Sequence, residues 1–243
     1  MQRIKKKNSP SKNNNEIIQK GVHQFKMGRY VEALGTFLSV QGNAEDYPEL
    51  PYYLGLCYAQ LEKYDEAVLY LEQVISSGSD ILHSYQSRML AGYIYAVTDR
   101  LDLSAYEFGK LLEEGYRSAS VFSALAFTQY KQKKIEESVS SLNSALEIEP
   151  GNPNALNSLG FILADSGRDP AGGVELCKRA VSIKPESAAY LDSLGWAFFK
   201  SGNIAEGAKL LRKALALAPD EIEIMKHLRI VLAREAEDER KNG

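Results

Sequence analysis

Four stretches of the chain read alike at a fixed spacing: LGLCYAQLEKYDEA (54–67), LAFTQYKQKKIEES (125–138), LGFILADSGRDPAGG (159–173) and LGWAFFKSGNIAEG (194–207). Aligning the small residue after the leucine, or its equivalent, gives Gly21, Gly55, Gly92, Ala126, Gly160 and Gly195, in steps of 34, 37, 34, 34 and 35 residues. A period of this size means one structural unit used repeatedly. Such a unit cannot bury its apolar faces alone, so neighbouring copies must stack.

Each unit divides into two helical stripes. With the aligned small residue as position 8, the last unit places Leu191, Leu194, Gly195 and Phe198 at positions 4, 7, 8 and 11, which is one face of an α-helix. Gly202 and Asn203 make the turn, and Gly207, Leu211 and Ala214 form a second stripe at positions 20, 24 and 27. Pro219, like Pro150 and Pro185 in the two units before, stands where a missing N–H helps to end the second helix. Position 20 is small throughout: Ala33, Ala67, Ser104, Ser138, Gly173, Gly207. Gly inside a helix costs about 0.5–1 kcal/mol against Ala. Its recurrence predicts that the two helices cross closely there. The fifth unit slips by one residue, which predicts an extra residue in the turn around Ser166 to Pro170, with Pro170 in the first turn of the second helix.

These residues resemble the tetratricopeptide repeat (TPR) family over residues 14–219, and the stretch YLDSLGWAFF (190–199) is similar to the last repeats of bacterial members. The resemblance implies an all-α, right-handed superhelical solenoid of stacked helix-turn-helix repeats. The expected organisation is a disordered basic leader at 1–13, then six units at about 14–47, 48–84, 85–118, 119–152, 153–187 and 188–221. A capping helix and frayed tail at 222–243 complete it, with Ile222, Met225, Leu228 and Leu232 on the cap's apolar face. The third unit departs most from the pattern, with a longer loop expected at Ser76 to His83.

The residues offer no catalytic constellation. His23, His83 and His227 fall in different units, and there is no HExxH, no GxxxxGK[ST] loop and no GxSxG elbow. Pairs such as Asp102 with Glu107, or Glu136 with Glu137, read as solvated helix charges. No enzyme activity, metal or cofactor is expected. Cys57 and Cys177 are too far apart in sequence for a CxxC site and read as core residues. A net charge of −3 does not mark a nucleic-acid binder. The basic arm (Lys5, Lys6, Lys7, Lys12) and Lys131 to Lys134 read as unspecific charge, with RNA association through the arm as an alternative. No apolar run approaches the roughly 18 residues of a membrane span. A cytoplasmic location is expected, or an envelope-associated one if a signal segment has been removed upstream.

What remains is surface recognition. In the family, positions 2, 5, 9, 12 and 13 of the first helices line a concave groove. Carried onto this chain, the resemblance implies a site for a protein or peptide partner at Phe127, Tyr130, Lys131, Asn154, Asn157, Phe161, Asp192, Trp196, Phe199 and Lys200, with Tyr52, Met89 and Tyr93 earlier in the chain. Aromatic side chains dominate such interfaces. The family's carboxylate clamp for chaperone tails needs basic residues and asparagines where this chain has Ser123, Phe127, Ser158, Ala189 and Ser193, so no clamp is expected. The alternative is a structural subunit that self-associates through these aromatics.

Overall fold

The computed structural model describes residues 12–41, 46–78 and 80–242. Residues 1–11 of the expected leader lie outside that set, whereas Lys12 and Asn13 already belong to the first helix. The described residues form thirteen α-helices and no strand. The chain divides into two compact units, residues 1–116 and 117–243.

Unit 1 holds three helical hairpins: α1 (Lys12–Lys26) with α2 (Tyr30–Leu38), α3 (Leu50–Gln60) with α4 (Tyr64–Ser77), and α5 (Ile81–Val97) with α6 (Leu101–Glu113). Unit 2 holds three more: α7 (Ala119–Lys131) with α8 (Ile135–Ile148), α9 (Pro153–Asp165) with α10 (Pro170–Ile183), and α11 (Ala188–Lys200) with α12 (Ile204–Leu217). A single helix, α13 (Ile222–Asn242), follows. Within unit 2, α9 packs on α7 and α8, α11 on α9 and α10, and α13 on α11 and α12.

The close crossing expected at positions 8 and 20 is present. A Cβ added to Gly195 would lie 3.1 Å from the carbonyl oxygen of Gly207, and one added to Gly207 would lie 2.8 Å from that of Gly195. In the fourth hairpin Ala126 and Ser138 take these places, and the Ser138 hydroxyl donates to the Ala126 carbonyl at 2.7 Å. The large residue at position 24 fills the space beside the crossing: Phe37, Leu71, Phe108, Leu142 and Leu211 are fully buried. Burying each such side chain stabilises by about 1.5–3 kcal/mol.

Every hairpin turns on one residue in the left-handed region. Gly28, Glu62, Asp99, Lys133, Gly167 and Gly202, all at position 15, have φ between 58° and 91°. Side-chain caps fix helix starts in unit 2: Ser118, Asn152 and Ser187 accept from the N–H three residues on, satisfying orphan donors. Pro150, Pro185 and Pro219 each stand two residues past the end of a second helix. The turn between α9 and α10 has the extra residue, Pro170 opens α10, and Asp169 accepts from Gly172 N at 2.8 Å.

Three expectations need correction. The additional residues of the third repeat do not lengthen a loop. They extend α5 backwards to Ile81, with Asp80 capping Leu82 N at 2.9 Å, so the helix has 17 residues where α7, α9 and α11 have 13. The buried stripe of the cap is Ile224 and Val231, flanked by His227, Leu228 and Leu232, whereas Ile222 and Met225 are exposed. The packing partners α11 and α12 select that face. Nor does the cap end in a frayed tail: α13 stays helical to Asn242, and its Glu235 pairs with Arg212 at 3.5 Å.

Candidate functional site

In unit 2 the first helices α7, α9 and α11 lie side by side, and side chains one repeat apart meet. Asp165, at the end of α9, is the hub. It accepts from the Tyr130 hydroxyl of α7 at 2.5 Å and from the Trp196 indole N–H of α11 at 2.9 Å. Lys200 Nζ stands 3.6 Å away. Burial alone would push the Asp165 carboxyl up, but the two donors and the lysine charge outweigh it and hold the group below its usual range. Burial, with the donation to Asp165, pushes the Tyr130 phenol well above its ordinary value.

The same relation recurs along these first helices. Tyr190 donates to Asn154 Oδ1, and Asn157 Nδ2 donates to Ser193 Oγ at 3.1 Å. Phe161 meets Tyr130 edge to face at 6.0 Å. The final step involves the cap: His227 of α13 stacks on Trp196 at 4.3 Å and brings its Nδ1 to 2.9 and 3.0 Å from the oxygens of Asp192. Phe199 packs against the Trp196 ring at 5.2 Å.

The ten residues expected to line the groove therefore separate into two sets. Asp192 and Trp196 are each only 8% exposed and are held by His227, so they are not open surface. Tyr130 and Asn154 are committed to residues of the next repeat. Phe127 is 50% exposed, with Lys131 Nζ 5.9 Å over its ring, while Phe161 and Phe199 are half-buried and Lys200 is exposed. Two shielded atoms lack a partner, Ser123 Oγ and Asn157 Oδ1, at position 5 of consecutive first helices.

In unit 1, Tyr52 donates to Gln86 at 2.7 Å and stacks on His83, Tyr93 is exposed, and Met89 is half-buried. Glu107 is not a solvated helix charge. It is buried, which raises its pKa, and it accepts from Arg88 at 2.8 Å. Glu136 is exposed and pairs with Arg168 at 2.7 Å. No group of three potential metal ligands occurs among the described residues. No helix among them is long and apolar enough to cross a membrane.

Two residues that organise this surface were missed as such, Asp165 as a hub and His227 as the partner of the last first helix. Their signal is spacing. Tyr130 to Asp165, Asn154 to Tyr190, Asn157 to Ser193 and Asp192 to His227 are separated by 35, 36, 36 and 35 residues, one repeat each.

Paired helices crossing at small residues, a constant turn and, within each unit, stacking of one hairpin on the next are the features of helix-turn-helix repeats of the solenoid kind. Tetratricopeptide repeat models match residues 18–80 and 188–221. A TPR repeat-containing protein of Pseudomonas aeruginosa is 35% identical over 98 residues, which is 40% of this chain and 16% of that protein. The chain thus spans only a small part of the length of this curated relative. Among solved structures, a tetratricopeptide repeat protein from Parabacteroides merdae aligns with a TM-score of 0.68 at 14% identity, covering 90% of this chain and 84% of its own. A thermophilic TPR protein of Thermus thermophilus aligns at 0.61 and 17% identity, covering 76% and 99%. YrrB, described as a TPR protein with an unusual peptide-binding site, aligns at 0.56 and 18%, covering 75% and 94%. The chain carries tetratricopeptide repeats over those matched residues and is similar to bacterial proteins built of them.

Proposed function

We propose that this protein is a non-enzymatic scaffold that binds a protein or peptide along the first helices of unit 2, with Phe127 as the anchor. The observation that supports it is the neighbourhood of Phe127. A half-exposed aromatic ring with a lysine over it lies one helical turn after Ser123, whose shielded Oγ, like Asn157 Oδ1 at the same position of α9, is satisfied by no described residue. Leaving a buried polar atom unpaired costs about 1–3 kcal/mol. An extended peptide that draws the Asn157 side chain outward offers amide donors to offset that cost, while its apolar side chains cover the ring. Lys131 and Lys200 favour acidic residues on the peptide. The absence of clamp residues at Ser123, Ser158 and Ser193 argues against acidic chaperone tails as the ligand.

The test is affinity capture from bacterial lysate with wild type and with a Phe127→Ala, Lys131→Glu variant. Both changes lie at positions that carry little of the fold. Proteins recovered by wild type and lost with the variant are the expected result. Equal recovery by both would move the binding surface elsewhere. The Trp196 position is unsuited to this purpose, because its ring is part of the packing between α11 and α13.

A further inference from the structure

Positions 19 and 22 of the second helices turn away from the buried stripe at 20, 24 and 27. In unit 2 they are polar or small: Glu137 and Ser140 in α8, Gly172 and Glu175 in α10, Glu206 and Lys209 in α12. In α2 of unit 1 they are Glu32 and Gly35. The repeat itself therefore asks for no apolar side chain there. Yet α4 has Leu69 at position 22, and α6 has Leu103 and Tyr106 at positions 19 and 22. These side chains are 56%, 47% and 55% exposed.

The two helices present them on neighbouring surface. Both α4 and α6 pack on α5. Tyr95 of α5 donates to Glu72 of α4 at 2.7 Å. Burial raises the Glu107 carboxyl of α6, and the charge of Glu72 adds to it, so the two helices lie close at that level. Leu69 stands one turn before Glu72, and Leu103 one turn before Glu107. A single exposed leucine is ordinary, but adjoining large apolar side chains mark a contact surface.

The surrounding charge selects the occupant. Residues 46–116, the second and third hairpins, hold twelve Asp and Glu against four Lys and Arg, whereas residues 117–243 hold seventeen of each. Three of those four cations are already engaged by carboxylates of the same hairpins: Arg88 by Glu107, Arg100 by Asp65, Lys110 by Glu113. Glu66 and Glu72, three residues before and after Leu69 on α4, are exposed and have no cation beside them among the described residues. An apolar patch bordered by acids without counter-charges complements an apolar helix face bordered by cations.

We propose that the outer face of α4 and α6 docks an amphipathic basic helix of a partner protein, its apolar side on Leu69, Leu103 and Tyr106 and its Lys and Arg side chains toward Glu66 and Glu72. This face lies on second helices of unit 1, and the inference does not depend on the reading of the first helices of unit 2.

The probe is a labelled, stapled helical peptide with leucine on one face and lysine on the other. Its binding to the full chain is read by fluorescence anisotropy. It is expected to bind at least about ten-fold more tightly than a leucine–glutamate peptide of the same pattern, and than a serine–lysine peptide of the same charge. A Leu69→Lys, Tyr106→Lys protein is expected to lose that advantage with its circular dichroism unchanged, since both side chains are more than half exposed. A Ser140→Lys, Asn143→Lys protein adds the same charge to the exposed side of α8 and should bind as wild type does. No binding of the leucine–lysine peptide, equal binding of the three peptides, no effect of Leu69→Lys with Tyr106→Lys, or an equal effect of both double variants would overturn the proposal. So would a wild-type dimer in sedimentation that Leu69→Lys with Tyr106→Lys dissociates, since the occupant would then be a second copy of this chain. About ten-fold tighter binding after removal of residues 1–11 would overturn it as well, because the chain's own Arg3, Lys5, Lys6 and Lys7 would then be what the face takes.

Discussion

His227 lies over the indole of Trp196 with ring centroids 4.3 Å apart and an interplanar angle of 22°, and the same imidazole holds the Asp192 carboxylate at 2.9 Å. One side chain of the cap thus covers the last aromatic of the first helices and satisfies the acid one turn before it. His227→Ala removes the stack and leaves a nearly buried carboxylate without its partner, at a cost of about 1–3 kcal/mol or more. Trp196 is the only tryptophan in the chain, so its emission reports the site directly. The variant should show red-shifted emission, greater quenching by acrylamide and a lower urea midpoint. Unchanged emission and midpoint would mean that Ile224 and Val231 alone hold α13.

Asp165 ties three consecutive repeats through Tyr130 and Trp196. Its carboxyl is held below its ordinary range. A group shifted in that direction contributes stability above its unfolded value of about 3.9 and loses it as the pH falls through the native value. Asp165→Asn removes the charge and weakens both bonds, which should cost about 1–3 kcal/mol at neutral pH. Urea unfolding of the two proteins at pH 7 and pH 3 checks this. The gap should be widest at pH 7 and narrow at pH 3. A gap independent of pH would remove the ionised Asp165 as the source.

The hairpins were legible in the sequence because their rules are local. The small residues at positions 8 and 20, the turn at position 15 and the prolines at 150, 185 and 219 each act within a single hairpin. The groove was less legible. An aromatic at position 9 or 12 looks the same in sequence whether it faces solvent, as Phe127 does, or donates to the next repeat, as Tyr130 does. The difference lies in a partner one period downstream. Phe127 has no such polar partner to reach, whereas Tyr130 has Asp165. The cap was misread for a related reason. Its sequence carries two apolar faces, and only the packing on α11 and α12 decides that Ile224 and Val231 go inside while Met225 stays out.

Two glycines in helices should respond to alanine with opposite signs. At Gly207 an added Cβ would stand 2.8 Å from the Gly195 carbonyl and 3.1 Å from Phe199 N, both backbone atoms that cannot step aside. Gly207→Ala should therefore destabilise by about 1–3 kcal/mol despite the better helix propensity. At Gly109, inside α6, a Cβ meets nothing within 4 Å. Gly109→Ala should stabilise by about 0.5–1 kcal/mol. Thermal melts of both variants decide the matter. A Gly207→Ala protein as stable as wild type would show that the crossing has room to open.

Cys57 in unit 1 and Cys177 in unit 2 are both fully buried, and burial pushes each thiol up to about 12. In unit 2 the Cys177 Sγ sits directly against Gly160, where an added Cβ would be 2.6 Å away. At pH 8 neither thiol is ionised to a useful extent, and thiolate is the form that reacts. The native protein should therefore resist Ellman's reagent for as long as both units stay closed, and release two equivalents in concentrated guanidinium. Rapid labelling of the native chain would contradict the burial of whichever cysteine reacts. In intermediate denaturant each cysteine reports on its own unit. Labelling of Cys57→Ser and Cys177→Ser variants at the same denaturant concentration then tells whether the two units open together. Equal labelling midpoints would mean one cooperative transition. A lower midpoint for Cys57 would place the weaker packing in unit 1, where the third repeat departs most from the common pattern.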